Sequence, residues 1–430
     1  MLPVAPPPTK YCLAAQWIHA AALAAGLVLL LSGLISVQVG LILLSIAGVA
    51  ALPALARCHR ALLRNNVLWL WLSWWLLWML SLTWSATPNA AHWDAMWGLV
   101  VIPAVMPVAH NPSRWLWPMA IGVGLHSLTQ ATAWSGLVDT TWFTELRTPF
   151  RGLHWYSPYV AVWAMTSMLL MIGVAACQSR RGVRIAALVL AIAAVVGLLL
   201  TMNRTSWVVG GAAVVLLAAR RVITLRREQR QWMLPVALTA GLLAIAVAAF
   251  VSLKMDTRFG QAQREIARLA GGDEDASVGD RFDSSIGRRV LWWNACWELL
   301  LDRPILGHGA GSIELSLAKK EAELPSEWGA AVPGFITHNP HCSLVATAIE
   351  QGGLGVLLLL ALSITGLMRS WRVGEHMQQL AGLAPAWLAM LAFSLTHAVL
   401  LEPYTVVLVS LLVAASMAQR REPEEARLSQ

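Results

Sequence analysis

Apolar residues dominate this chain in stretches of about 20 residues, and short polar or basic segments separate each stretch from the next. A stretch of that length is what an α-helix needs to cross the roughly 30 Å hydrocarbon core of a bilayer. We therefore predict an all-α integral membrane protein with about twelve transmembrane helices. The predicted spans are 13–36, 37–56, 67–84, 93–109, 115–138, 155–177, 183–201, 205–219, 232–253, 341–367, 382–400 and 403–418.

One long interruption separates the ninth predicted span from the tenth. This segment is too polar to cross a membrane, so we predict a large helical loop outside the bilayer. The chain then divides into spans 1–9 over 1–253, the loop over 254–340, spans 10–12 over 341–418 and a tail over 419–430.

The pattern within this loop predicts further helices. A short helix over 259–270 precedes a Gly-, Asp- and Ser-rich segment, 271–287. Apolar positions recur at helical spacing from Ser284 to Asp302, which indicates an amphipathic helix that lies on the membrane or roofs the bundle. A turn over 307–311 and another helical stretch over 312–323 follow.

Composition and charge place this chain in lipid. The sequence is 57% hydrophobic and 13% charged, with 23 Trp, which suit the membrane interface, and a net charge of +8. Most Arg and Lys residues occur in loops on the side of the two termini. By the positive-inside rule this predicts a multi-pass inner-membrane protein with both termini cytoplasmic and the long loop periplasmic. The same distribution argues against a nucleic-acid partner and for contact with membrane lipids.

Arginines are the first candidate binding residues. Arg147, Arg151 and Arg204 are the basic residues in the short outer loops, and Arg288 and Arg289 open the amphipathic loop helix. Lone arginines commonly reach lipid headgroups. Together, these five favour a site for an anionic, lipid-linked group, since guanidinium forks match diphosphate oxygens.

Two histidines are the candidate bases. His338 and His341 lie where the loop meets the tenth span, and a neutral imidazole there can take a proton from a sugar hydroxyl. Glu350, inside the same predicted span, is a functional candidate that could equally be paired or protonated.

Metal and redox chemistry find little support in the sequence. The acidic run Asp273–Asp275 has the context of a solvated loop, so we expect no metal site and no cofactor. The five cysteines lack CxxC spacing; Cys296 and Cys342 could pair outside the cytoplasm or remain free thiols.

Three segments together resemble the family of O-antigen ligases and polymerases. They are RTPFRGLHWYSP, NRTSW, and the stretch from GRRVLWWNACWELLLDRPILGHGAGS to PHCSLVATAIEQGGLG. The family pattern of a His, ten residues and a Gly, with an acidic residue two before that Gly, is met by His341, Glu350 and Gly352. The family's usual Asn after the His is Cys342 here, while a His-Asn dipeptide occurs at His338. Spacing favours His341 as the base, and the dipeptide favours His338.

The resemblance implies a glycosyltransferase that ligates O-antigen from undecaprenyl diphosphate onto lipid A-core on the periplasmic face, completing lipopolysaccharide. It implies an inverting, metal-independent transfer with Arg288 and His338 or His341 as catalytic residues. A same-family O-antigen polymerase or protein O-oligosaccharyltransferase is the alternative, and a lipid-linked glycan transporter is the second. The implied substrate-binding residues are Arg147, Arg151, His154, Arg204, Arg289 and Glu350.

Overall fold

The protein is described by a computed structural model with gaps. The described ranges are 10–32, 37–63, 65–86, 97–109, 111–134, 157–201, 203–224, 285–323, 341–397, 400 and 403–418, with residue 202 outside them.

Helices make up nearly all of the regular structure in these ranges, and none of the described residues forms a strand. Two 3₁₀ turns, Met106–Val108 and Gln378–Leu380, accompany them. The α-helices are α1 (Lys10–Ser32), α2 (Val37–Leu63), α3 (Asn66–Ser81), α4 (Trp97–Val105), α5 (Ser113–Trp134), α6 (Ser157–Cys177), α7 (Arg181–Leu200), α8 (Arg204–Thr224), α9 (Ser285–Asp302), α10 (Ile313–Glu323), α11 (Ser343–His376), α12 (Leu383–Ser394) and α13 (Pro403–Ser416).

The all-helical, membrane-spanning class predicted from the sequence is confirmed. Helices cover eleven of the twelve predicted stretches; the twelfth, 232–253, lies outside the described residues, as does the predicted loop helix 259–270. Both other loop helices, α9 and α10, form where they were predicted. Among described residues, five helices are long and apolar enough to cross a membrane, so the count of twelve stays a prediction. These five segments are Ala14–Ser32, Val39–Ala56, Pro158–Cys177, Arg181–Leu200 and Ser343–His376.

The interior of the bundle is formed by α6, α12 and α13. Nearly every described side chain of α6 and α13 is buried, and α12 packs against α6, α8 and α11. Large side chains such as Trp387 of α12 fill this interior. Helix α12 has 12 residues, about 18 Å, and is too short to cross the hydrocarbon core unaided. It ends next to the starts of α8 and α11.

Helix α11 is broken at Gly352. This residue has φ 65° and ψ −164°, a conformation that only glycine adopts readily, so its 34-residue helix consists of two parts. The part from Gly353 to His376 is about 36 Å long at 1.5 Å per residue and suffices to cross a bilayer core. The shorter part, Ser343–Gln351, is therefore not needed to cross the bilayer core and can contribute residues to a site at that end of the longer part.

Several chain turns meet at the end of the bundle where α11 begins. The turn after α3, the start of α8, helix α9 with its following loop, and the end of α12 all contact one another or α11 there. The charge pattern of the sequence predicts that all of these turns lie on the side opposite the termini.

Candidate functional site

The loop after α9 inserts into the break of α11. Backbone N–H groups of His308 and Gly309 donate to the carbonyls of Ile349 and Glu350, at 2.7 and 2.9 Å. In return, the N–H of Gly353 donates to Pro304 at 2.7 Å. The loop thus replaces the hydrogen bonds that the helix loses at its break, which an apolar environment requires. The predicted turn over 307–311 is confirmed, and its role as a partner of α11 is new.

Glycines allow this close approach. Gly307 has φ +65°, and a Cβ there would lie 2.5 Å from the carbonyl oxygen of Ile349. Any side chain would separate the loop from α11. Glu350, 5% exposed, accepts a 2.8 Å hydrogen bond from the N–H of Gly311. The backbone of Ala310 is hydrogen-bonded to Ser81, the last residue of α3, and to Ser85 after it. The Glu350 carboxylate therefore has a structural partner outside α11.

Helix α9 covers the first part of α11 as a lid. Ala295, Cys296 and Leu299 form one buried cluster with Leu317 of α10 and Ile349 of α11. The opposite face exposes Trp293, Trp297 and Leu301, with Trp297 60% exposed. The helix is amphipathic as predicted, and within the protein its inner face roofs the bundle.

His341 lies under this lid, two residues before α11. Its imidazole stacks on the indole of Trp292, with centroids 4.8 Å apart and an interplanar angle of 27°. Its backbone is left-handed at φ 51°, which is uncommon outside glycine and typical of constrained functional positions. Burial, with a smaller contribution from the Arg289 charge, lowers the pKa of His341 to about 4. The imidazole is therefore neutral at pH 7 and able to accept a proton.

A second histidine, His397, lies beside the first. Its ring centroid is 6.3 Å from that of His341, and the rings are perpendicular. His397 follows the end of α12 and stacks on Phe393 at 4.4 Å. Its two ring nitrogens contact Asn203 at 3.2 Å and Thr396 at 2.9 Å. This histidine joins the start of α8 to the end of α12.

The structure brings some of the predicted site residues together and leaves others undescribed. Arg289 and His341 interact electrostatically, and Glu350 lies in the short first part of α11, which His341 precedes by two residues. Arg204 is the first residue of α8, directly after Asn203, and Arg288 lies in the first turn of α9. The remaining four predicted site residues, Arg147, Arg151, His154 and His338, lie outside the described residues.

Asn203, Trp292 and His397 were not among the predicted site residues. Asn203 and Trp292 do fall within the motif segments NRTSW and GRRVLWWNACW. In the sequence, however, Asn203 is an ordinary helix-cap residue and Trp292 an ordinary interface residue, because their contacts with His397 and His341 are not visible there. His397 has no sequence neighbour that points to the site. Only the short length of α12 brings it there, and no periodicity predicts that length.

Within the described ranges, no group of three or more His, Cys, Asp or Glu side chains could hold a metal ion, and Asp273–Asp275 lie outside these ranges. Cys296 and Cys342 are buried free thiols. Burial, and then the neighbouring Cys342, raise the pKa of Cys296 to about 12, so this thiol stays protonated.

The fold and the site define a helical multi-pass membrane protein with a lid-covered, arginine- and histidine-containing site at one end of its bundle. Residues 186–360 match the family model of O-antigen ligase. Over these residues the chain is similar to O-antigen ligases. The matched region runs from α7 into α11 and contains Asn203, Arg289 and His341, whereas His397 lies beyond it. A comparison with curated proteins gave no match.

Proposed function

We propose that this protein is an O-antigen ligase that transfers a glycan from undecaprenyl diphosphate to lipid A-core. The observation that carries the proposal is the neutral His341 beneath the lid, beside Arg289 and within the matched family region. A neutral base and a cation, side by side and shielded from bulk water, are what an inverting transfer with an anionic leaving group needs.

The site favours a diphosphate at this location. Helices α8, α9 and α11 all begin at this end of the bundle, and none has an acidic residue in its first turn. Their N-termini carry positive partial charge, and no carboxylate within these described first turns offsets it. Arg204, Arg288 and Arg289 add full charges at the starts of α8 and α9. In this proposal Arg147, Arg151 and His154 complete the donor site.

Donor binding would activate the base. In the free protein, burial and Arg289 hold the pKa of His341 near 4. A bound diphosphate would neutralise the Arg289 charge and favour the imidazolium, so the pKa of His341 would rise toward the working pH. The imidazole would then take the proton of the acceptor hydroxyl while that oxygen displaces the diphosphate from the anomeric carbon. The arginines would stabilise the charge on the leaving group.

His341 is the base in this proposal because its spacing to Glu350 and Gly352 and its surroundings both suit that role. Replacing His341 by Gln should abolish ligation while the protein remains inserted, whereas replacing His338 by Gln should leave a measurable rate. The reverse result would transfer the role to His338.

The decisive experiment is reconstitution of the purified protein with an undecaprenyl-diphosphate glycan and lipid A-core, followed by gel detection of the joined product. Joining supports the proposal. Glycan growth without use of lipid A-core would instead make the protein a polymerase, and transfer only to a protein would make it an O-oligosaccharyltransferase. Binding and movement of the donor without any new glycosidic bond would make it a transporter.

Two variants sharpen this test. Arg288→Ala should reduce the rate about 10²- to 10³-fold, as expected when a group that stabilises developing charge is removed. Arg303→Ala, at an exposed arginine just after α9, is the matched control and should retain the wild-type rate. EDTA should have no effect, and a loss restored by Mg²⁺ or Mn²⁺ would revive a metal role for Asp273–Asp275.

A further inference from the structure

His397 lies at the centre of a directed chain of hydrogen bonds. The side-chain oxygen of Asn203 accepts from the N–H of Ser206 at 3.1 Å, so the Asn203 amide group presents its N–H₂ to His397. The Nε2 atom of His397 must therefore accept, and its proton resides on Nδ1. Nδ1–H donates to the Thr396 hydroxyl, which donates to the carbonyl of Phe393 at 3.0 Å. Each bond direction follows from its neighbour.

This arrangement excludes His397 as a proton acceptor in the reaction. Both ring nitrogens have protein partners, and taking up a proton at Nε2 would break the bond to Asn203. Burial, followed by the charges of His341 and Arg289, lowers the pKa of His397 to about 4, so the neutral form is kept at pH 7. The imidazole is a fixed neutral connector.

The backbone of His397 makes a second connection, to α11. Its carbonyl accepts from the hydroxyl of Ser343 at 3.0 Å, and the same hydroxyl accepts from the N–H of Leu400 at 3.1 Å. Ser343 is the first residue of α11 and follows His341 by two positions. His397 thus binds the start of α8 through its ring and the start of α11 through its backbone.

We infer that His397 is a positioning residue that fixes the start of α8, with Arg204, relative to His341 at the start of α11. This inference rests on the proposed function, because in that function the starts of α8 and α11 bind the same substrate. Without this link, the start of α8, which carries Arg204, and the proposed base His341 would be free to move apart. Misplacement of about 1 Å can cost about 100-fold in rate.

Three substitutions test the inference at the level of single atoms. The amide oxygen of Gln lies where Nε2 of His does, whereas the amide group of Asn lies where Nδ1 does. We expect His397→Ala and His397→Asn to reduce kcat about 10- to 100-fold, and His397→Gln to restore most of it. A general loss of packing would instead reduce all three alike, which would overturn the inference.

The partner residue provides a thermodynamic cycle. Asn203→Ala should reduce kcat as His397→Ala does, and the double variant should lose little more than either single variant. Additive losses would mean that the two side chains act separately. His19→Gln is the control, because His19 is another buried histidine, bonded to the carbonyl of Ala104 far along the chain, and its loss should leave kcat unchanged.

A readout independent of activity separates this inference from the proposed function. Hydrogen exchange at the amides of Ser206 and Trp207, which donate to Asn203 in the first turn of α8, should accelerate in His397→Ala and recover in His397→Gln. If the wild type makes no joined product yet exchange changes as expected, the function fails and the link stands. If the wild type is active and His397→Ala matches it in rate and exchange, the link is wrong.

Discussion

The carboxylate of Glu350 accepts a 2.8 Å hydrogen bond from the backbone N–H of Gly311, across 39 residues of chain. Glu350 belongs to α11 and Gly311 to the loop that fills the break in that helix. The bond therefore helps to hold the loop after α9 against the first part of α11.

Replacing Glu350 tests whether its shape or its charge matters. Glu350→Gln keeps an oxygen acceptor for Gly311, so we expect near-normal stability. Glu350→Ala removes the carboxylate acceptor of this part-buried N–H and should lower the free energy of unfolding by about 1–3 kcal/mol. Thermal unfolding in detergent measures both. A Gln variant as unstable as the Ala variant would show that stability needs the negative charge itself. Ligation at the wild-type rate by the Gln variant would exclude a substrate-binding role for that charge.

Gly352→Ala should be strongly destabilising. A Cβ at Gly352 would collide with the backbone of Ile305, and φ +65° is unfavourable for alanine. We expect loss of folded protein at the growth temperature, measured by size-exclusion yield. Gly211→Ala is the control: Gly211 lies within α8, and no described atom outside its own stretch of helix lies within 4 Å of its would-be Cβ, so this change should be neutral or slightly stabilising. Equal yields for the two variants would contradict the role of the break.

Removing the indole of Trp292 should impair ligation more than stability. Without that ring, His341 loses its stacking partner and its fixed orientation, so Trp292→Ala should lower kcat about 10-fold or more, and Trp292→Phe should keep most of it. Trp297→Ala alters the exposed face of the same helix and should leave kcat unchanged. Rates in the reconstituted assay decide the matter, and equal losses at the two tryptophans would argue against the stack.

The neutral histidines predict a dependence of stability on pH. His341 and His397 both have folded-state pKa values near 4, below the ordinary 6.5 of the unfolded chain. Between pH 6.5 and 4 the unfolded state binds more protons, so stability falls as pH decreases through this range, and these two groups contribute no slope above it. Thermal unfolding at pH 7.5 and 5.0 should show the loss, and His341→Gln should reduce it. An unchanged slope in that variant would place the titrating groups elsewhere.

Sequence patterns predicted much of this fold because lipid imposes a simple rule on helix length and composition. The apolar stretches over α1, α6 and α7 needed only that rule. Helical spacing of apolar residues likewise predicted α9. The helix α12 was predicted, but its short length was not, since its apolar stretch continues past the residue where the helix ends.

The candidate site was predictable only in part. Arg289 and His341 could be predicted, because the apolar pattern of the helices requires no charged or titratable residue at either position. His397 and Asn203 acquire meaning only through contact with each other across 194 residues. The segment Gly307 to Gly311 was predicted only as a turn. Its second role, donating hydrogen bonds to the carbonyls of Ile349 and Glu350, depends on the break in α11, and that break forms only in the folded protein.

The break at Gly352 has a consequence for how the protein can be divided. A helix normally completes its own backbone hydrogen bonds, so pieces of a helical membrane protein can often be made apart and combined. The first part of α11 lacks that independence, because the groups that complete it come from residues 304–309. Two fragments cut between α10 and α11 would each enter the membrane, but neither would hold the shape of His341's surroundings until they had bound each other.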